Sequence, residues 1–168
     1  MNHISVRVSY LELTQAPAPI PVHPGQERVS RENLSVDEYL DLYRRVGEPL
    51  RWDQRLKMPV AELRRLLRSA ESQIYVLKGA AGQALGFCEF ERGDLHEVEL
   101  KNFGLVPAAY GRGLGRWLLL TALHEEWALH PRRIWLHTDN WDHPAAAHVY
   151  QMAGFRVYMV KDQPPGDL

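Results

Sequence analysis

The sequence predicts an α/β (α+β) fold built on a mixed, mostly antiparallel sheet. Three observations lead there. Apolar residues recur at strand and helix spacing in the order β, α, α, β, β, β, α, β, α, β. Three consecutive strands in the middle are separated only by short turns, which makes them antiparallel neighbours. A strand, glycine loop, helix and strand then follow as one βαβ unit, which requires a parallel pair. The 168 residues suit one ordinary domain with a real core, so 1–168 is read as a single domain.

His3 to Leu13 is a strand, because Ile4, Val6, Val8 and Tyr10 alternate with Ser5, Arg7 and Ser9. Residues 15–25 carry Pro17, Pro19, Pro21 and Pro24 and read as an extended connector. Ser35 to Val46 is a helix: Ser35 and Glu38 form a capping box, Tyr39, Leu42 and Val46 share a face, and Gly47 stops it. Trp52 to Met58 has no periodicity and is read as irregular. Pro59 opens a short helix to Ser69, with Leu63, Leu66 and Leu67 on one face. Gln73 to Leu77 and Gln83 to Glu91 are strands around the turn Gly79 to Gly82, and Gly93-Asp94 makes the next turn. A long strand runs from His96 to Val106, and a helix from Gly113 to His130. Arg133 to Thr138 is a strand. Pro144 to Ala153 is a helix with the proline at its first position, ended by Gly154, and Phe155 to Val160 is the last strand.

Composition narrows the function. Hydrophobic residues make up 45% and charged ones 24%, an ordinary globular balance. A formal net charge of −1 argues against a broad basic surface for nucleic acid. The longest apolar block, Trp117 to Leu123, is too short to cross a bilayer, and the first ten residues lack an apolar signal core. The expected location is the cytoplasm, with no membrane partner. The one cysteine, Cys88, excludes an intrachain disulfide. It lies in the apolar run Leu85 to Phe90 with no basic neighbour, which favours a buried thiol over a nucleophile.

The most informative stretch is Val106 to Leu120, VPAAYGRGLGRWLLL. Gly111, Gly113 and Gly115 let the backbone approach a ligand closely. The first helical N–H groups have no internal partner and sit at the positive end of the helix dipole. Together they favour a phosphate, and Arg112 and Arg116 add charge. The loop lacks the Lys-Ser/Thr of a P-loop and the G-x-G-x-x-G spacing of a dinucleotide site. A second stretch, Asp142 to Phe155, sets Tyr150 near the end of a short helix closed by Gly154.

The two stretches and the element order together resemble the GNAT superfamily of N-acetyltransferases. The family's Q/R-x-x-G-x-G/A matches Tyr110-Gly111-Arg112-Gly113-Leu114-Gly115. Its N-x-x-A-x-x-L-Y-x-x-x-G-F matches His143 through Ala146, Val149 and Tyr150 to Gly154-Phe155. The likeness is closest over 73–160, read as the acyl-CoA-binding core. Tyr110 and His143 depart from the usual Gln/Arg and Asn. The resemblance implies the GNAT fold, with a splayed parallel strand pair and helices on both faces. It also implies transfer of an acetyl group from acetyl-CoA to an amine by direct attack in a ternary complex, with no metal.

Residue roles follow from that resemblance. Gly111, Arg112, Gly113, Leu114, Gly115 and Arg116 would hold the pyrophosphate. Phe103, Gly104, Leu105 and Val106 would offer main-chain groups to the pantetheine, and His143 stands at a pantetheine contact. Tyr150 occupies the general-acid position for the leaving thiolate, a phenol of pKa about 10 being near a thiol in acidity. An amine of pKa about 10.4 is neutral in only about one molecule in two thousand at pH 7, so a base is needed. Glu99, fourteen residues before Gly113, matches the base of the histone-acetylating branch, acting directly or through water; Glu97 reads as a solvated strand residue. Trp52, Asp53 and Arg55 fall where the superfamily varies its acceptor pocket, and Trp52 with Arg55 would suit an acceptor bearing an apolar and an anionic group.

Other readings remain beside this one. His137, Asp139, Asp142, His143 and His148 invite a metal, but His143 and His148 are five apart, off a common helix face. A non-catalytic acyl-CoA sensor would carry the same two motifs. The acceptor is left open between a small molecule and a peptide amine. Dimers are common in families of this kind, so a homodimer is carried as an expectation.

Overall fold

Seven strands form in the computed structural model, which describes residues 4–23, 25–94 and 96–164. The predicted strand start at His3 and the connector's Pro24 lie outside those residues. The strands are β1 (Val6–Leu13), β2 (Arg28–Arg31), β3 (Ser72–Lys78), β4 (Ala84–Asp94), β5 (Glu97–Leu105), β6 (Arg133–Asp139) and β7 (Arg156–Gln163). They join in one sheet ordered β2-β3-β4-β5-β6-β1-β7. Only β5 and β6 pair in parallel; the other neighbours are antiparallel. The helices are α1 (Val36–Gly47), α2 (Gln54–Lys57), α3 (Val60–Arg68), α4 (Leu114–Trp127) and α5 (Ala146–Ala153).

The hydrophobic pattern accounts for most of this. The capping box at α1 is formed: Glu38 N–H donates to Ser35 Oγ at 3.2 Å, and Ser35 N–H to Glu38 Oε1 at 3.4 Å. Such a box is worth about 1 kcal/mol. Leu118, Leu119, Leu120 and Leu123 of α4 are all fully buried, so this helix is apolar around most of its girth. Each such leucine contributes about 1.5–3 kcal/mol by leaving water. Its one charged buried residue, Glu126, accepts from Arg92 and from the Tyr75 hydroxyl at 2.8 Å.

Several elements depart from the sequence reading. β2 was unforeseen: Arg28–Arg31 has a single apolar residue, Val29, and its strand character comes from pairing with β3. Residues 52–58 contain the short helix α2. β4 runs through Gly93 to Asp94, which pairs with Glu97, where a turn was expected. Pro144 precedes α5, whose N-cap is Ala145. Gly47 does not stop the chain's coiling, because a 3-10 turn, Glu48–Leu50, continues from it. Its φ is an ordinary −91°. Glycine is needed there because a Cβ would lie 2.6 Å from Trp52.

β1 leaves the N-terminal half and inserts between β6 and β7, pairing antiparallel with both. That support lets β6 diverge from β5. The parallel ladder covers only Glu97–Glu99 against Arg133–Trp135. Beyond it β5 stays on β4 as far as Leu105, and β6 stays on β1 as far as Asp139. The wedge between them opens the site.

Candidate active site

A cavity of about 830 Å³ occupies this wedge, walled by β5, the glycine loop, the 139–143 loop, α5 and the segment 50–57.

The glycine-loop wall is made of backbone. Gly111 and Gly113 have φ of +79° and +73°, the left-handed region that a β-carbon disfavours. A Cβ on either would meet nothing within 4 Å, so both face open space. Gly113 caps α4 with no side-chain partner. Among the described residues, no protein acceptor takes the backbone N–H groups of 111–116. Unpaired N–H groups at a helix start beside open space fit an anion such as a pyrophosphate. Arg116 lines the cavity here. Arg112 does not: its guanidinium is paired with Glu27. Hydrogen bonding from His23, from backbone and from Arg112 holds the Glu27 carboxyl down at about 2. The Leu114 side chain and Val106 are buried and leave only main-chain groups near the site.

The strand wall is Phe103, Gly104 and Leu105, past the end of the parallel ladder. Their edge toward β6 has no strand partner. Gly104 is tight: a Cβ there would lie 2.6 Å from Val46 Cγ1 and 3.5 Å from the Trp52 ring. Trp52 is thus fitted between Gly47 and Gly104, with its ring 5.6 Å from Tyr43 and 6.3 Å from Phe87. It belongs to the core and the cavity wall at once.

Tyr150 sits on the α5 wall, its ring packed 5.8 Å from Phe103 and 5.9 Å from Phe155. Among the described residues, no protein group bonds its hydroxyl. Nor is the hydroxyl sealed in, since only those of Ser72 and Thr121 are buried without partners. Burial, then the charge of Asp142, pushes its pKa well above the usual phenol value, so it stays a proton donor. His143 also lines the cavity. Its ring meets Tyr110 edge-on at 4.8 Å, and its Nδ1 accepts the Ala145 N–H at 3.1 Å. The two departures from the family motifs are therefore neighbours in space.

The remaining wall joins 50–57 to β6. His137, Asp139, Trp141 and Asp142 line it, none of them placed in the acceptor pocket by sequence. Asp142 accepts from the Thr138 hydroxyl and from Asp139 N–H at 3.1 Å, while Asp139 accepts Trp141 N–H at 2.7 Å. Burial first and Asp142 second raise the Asp139 pKa. Glu99 is not on the cavity wall. Its carboxylate lies 3.2 Å from Lys101 Nζ and 3.9 Å from His137 Nε2, behind the histidine.

Arg55 corrects the sequence reading. It is buried and its Nη2 lies 2.6 Å from Glu89 Oε2. Its Nε donates to the Tyr39 hydroxyl at 3.2 Å, and Tyr39 and Asn102 also donate to Glu89. Its charge is thus met by a protein carboxylate, and Arg55 is not among the residues lining the cavity. The buried Glu89 that claims it gives no signal in sequence beyond a charge inside an apolar strand. Cys88 is buried too, and burial raises its thiol pKa. Among the described residues, no group of three His, Cys, Asp or Glu is placed to hold a metal ion, and no helix is long and apolar enough to cross a membrane.

Comparison with known proteins adds an independent view. The model of the acetyltransferase (GNAT) family matches residues 34–155. Mycothiol acetyltransferase from Gordonia bronchialis is 37% identical over 86 residues, 49% of this chain and 28% of that protein. The GCN5-related N-acetyltransferase from Sphaerobacter thermophilus superposes with a TM-score of 0.67 at 18% identity, over 96% of this chain and 53% of its own. A GNAT family acetyltransferase from Elizabethkingia anophelis with acetyl-CoA bound gives 0.60 at 16% identity, over 80% of this chain and 78% of its own. At these identities the solved structures speak to fold alone. The chain spans about half of the Sphaerobacter protein and less of the Gordonia one.

Proposed function

The chain belongs to the GNAT family of acetyltransferases, and from that premise we propose that it moves an acetyl group from acetyl-CoA to a primary amine by direct attack in a ternary complex. The observation that carries this reading is the wedge itself. One continuous cavity joins the unpaired N–H groups of the glycine loop, the open edge of β5 and the Tyr150 hydroxyl. Backbone amides of 111–116, with Arg116, hold the pyrophosphate. Main-chain groups of Phe103–Leu105 hold the pantetheine, and His143 abuts it. Acetyl-CoA supplies the activated thioester carbonyl.

The chain's own groups then manage two protons. Tyr150 donates one to the departing sulfur and is reprotonated by the proton that the attacking nitrogen sheds as the amide forms. The other leaves the ammonium before attack. His137, on the cavity wall, carries it toward Glu99 behind, either directly or through water. Cys88 is too buried to serve as a covalent carrier, which favours direct attack. The acceptor is a small-molecule or peptide amine; the enzyme works as one catalytic domain, in the cytoplasm. Calorimetric titration with acetyl-CoA, followed by thiol release on adding amines, tests the reading. Tight binding with no release across a wide amine panel would instead favour a sensor of acyl-CoA.

A further inference from the structure

Four cations line the cavity: Arg51, Lys57, Lys101 and Arg116. Lys57 is paired with Asp53 at 2.5 Å, and Lys101 with Glu99 and Glu91. Arg116 belongs to the glycine-loop helix. Arg51 is different. Among the described residues, its guanidinium has no carboxylate partner and no hydrogen bond. It lies 5.6 Å over the Trp141 ring, a cation–π contact that fixes a position without neutralising the charge. Its backbone is held at φ +63°, a conformation costly for a side chain with a β-carbon, by Arg51 N–H donating to Glu48 O at 3.2 Å. A strained, stacked and unpaired arginine on a cavity wall is prepared for an anion that the protein does not supply.

Its surroundings narrow the ligand. Trp141 covers the Arg51 guanidinium with apolar surface, and Trp52 lines the same cavity. Trp141 also donates its backbone N–H to Asp139. Trp141 thus touches Arg51 with its ring and Asp139 with its backbone N–H. We propose that Arg51, stacked on Trp141, binds an anionic group on the acceptor, so that the amine acetylated also carries a carboxylate or a phosphate. The inference rests on the acetyl-transfer reading and specifies its acceptor. The sequence reading assigned an anion to the right segment through Arg55; the structure gives Arg55 to Glu89 and leaves Arg51 for the ligand.

Matched amines test it: L-phenylalanine against 2-phenylethylamine for the carboxylate, and O-phosphoethanolamine against ethanolamine for the phosphate. Thiol release from acetyl-CoA gives kcat/KM for each. The wild type should prefer the anionic member of at least one pair, which also identifies the anion. Arg51→Gln should collapse that preference by about ten- to a hundredfold, the worth of a charged hydrogen bond, and Arg51→Lys should restore part of it. Acetyl-CoA affinity of Arg51→Gln should stay within twofold of wild type. Equal kcat/KM within both pairs overturns the proposal, and so does a loss of acetyl-CoA affinity, which would assign Arg51 to the cofactor. If no amine turns over, calorimetry with CoA present decides: tighter binding of an anionic member, lost in Arg51→Gln, keeps this subsite while the transfer reading fails. Turnover without anion preference leaves transfer standing and removes the subsite.

Discussion

Arg55 and Glu89 form a buried ion pair, 2.6 Å from Nη2 to Oε2, that ties α2 to the central strand β4. Tyr39 from α1 and Asn102 from β5 complete the ring of partners. Four elements meet at one carboxylate, directly behind the cavity wall that carries Asn102 and Trp52. Removing one partner strands the other's charge in the interior. Arg55→Ala should therefore cost about 3–5 kcal/mol, read from the urea midpoint at constant m. Replacing both residues with leucine should cost less than the single change. A loss under about 1 kcal/mol for Arg55→Ala would mean that water satisfies Glu89.

The glycine loop is expected to be specific in its demand. Gly113→Val brings a branched Cβ to a φ of +73° and into the open space that a phosphate would occupy. Acetyl-CoA affinity should fall well below wild type while the circular dichroism of the fold is retained. An unchanged affinity in calorimetry would move the pyrophosphate elsewhere.

Tyr150→Phe keeps the ring between Phe103 and Phe155 and removes only the hydroxyl. Loss of a general acid should lower kcat roughly a hundredfold, with acetyl-CoA affinity near wild type. A kcat within twofold, with chemistry rate-limiting, would make the tyrosine structural.

Glu99→Gln should slow transfer at neutral pH and recover toward alkaline pH, where more of the amine is already neutral. His137→Asn should follow the same profile if the histidine stands between amine and carboxylate. A deficit equal at every pH would assign the pair to positioning.

Asp139 gives a stability test with a definite sign. Folding raises its pKa above the ordinary 3.8, so the native state holds that proton more tightly than the unfolded chain. Native stability therefore falls as pH rises from 3.8 through the raised value. Asp139→Asn removes this cost. It should melt higher than wild type at pH 7, with the gap closing below pH 3.8. A variant that melts lower at pH 7 would show that the carboxylate is stabilised by the Trp141 N–H more than burial opposes it.

Most of the fold was legible because its signals are local. The capping box, the positive-φ glycines and the leucine-rich α4 all act within a few residues of themselves. β2 was not legible, because Arg28–Arg31 becomes a strand only by joining β3. Nor could spacing show β1 lying between β6 and β7. At the site, the glycine loop and Tyr150 were found by motif. His137, Asp139 and Trp141 were not placed at the cavity by sequence, because they enter it only where β6 leaves β5. Of Arg51 and Arg55, four apart in sequence, only Arg55 stood out as an anion ligand; a buried carboxylate on β4 pairs with it and leaves Arg51 without an ion pair among the described residues. Glu99 was read as a base at the site; its carboxylate is not on the cavity wall and lies beside Lys101 and His137, which are.

Direct transfer at this wedge has a stoichiometry that can be measured. The protein is mixed with acetyl-CoA alone, and then with an amine, while free thiol and acetylated amine are measured together. Direct transfer gives no thiol and no acetylated protein before the amine is added, and one acetylated amine for each thiol afterwards. Thiol release without amine, an acetyl group found on the protein, or bound acetyl-CoA that no amine discharges would contradict it.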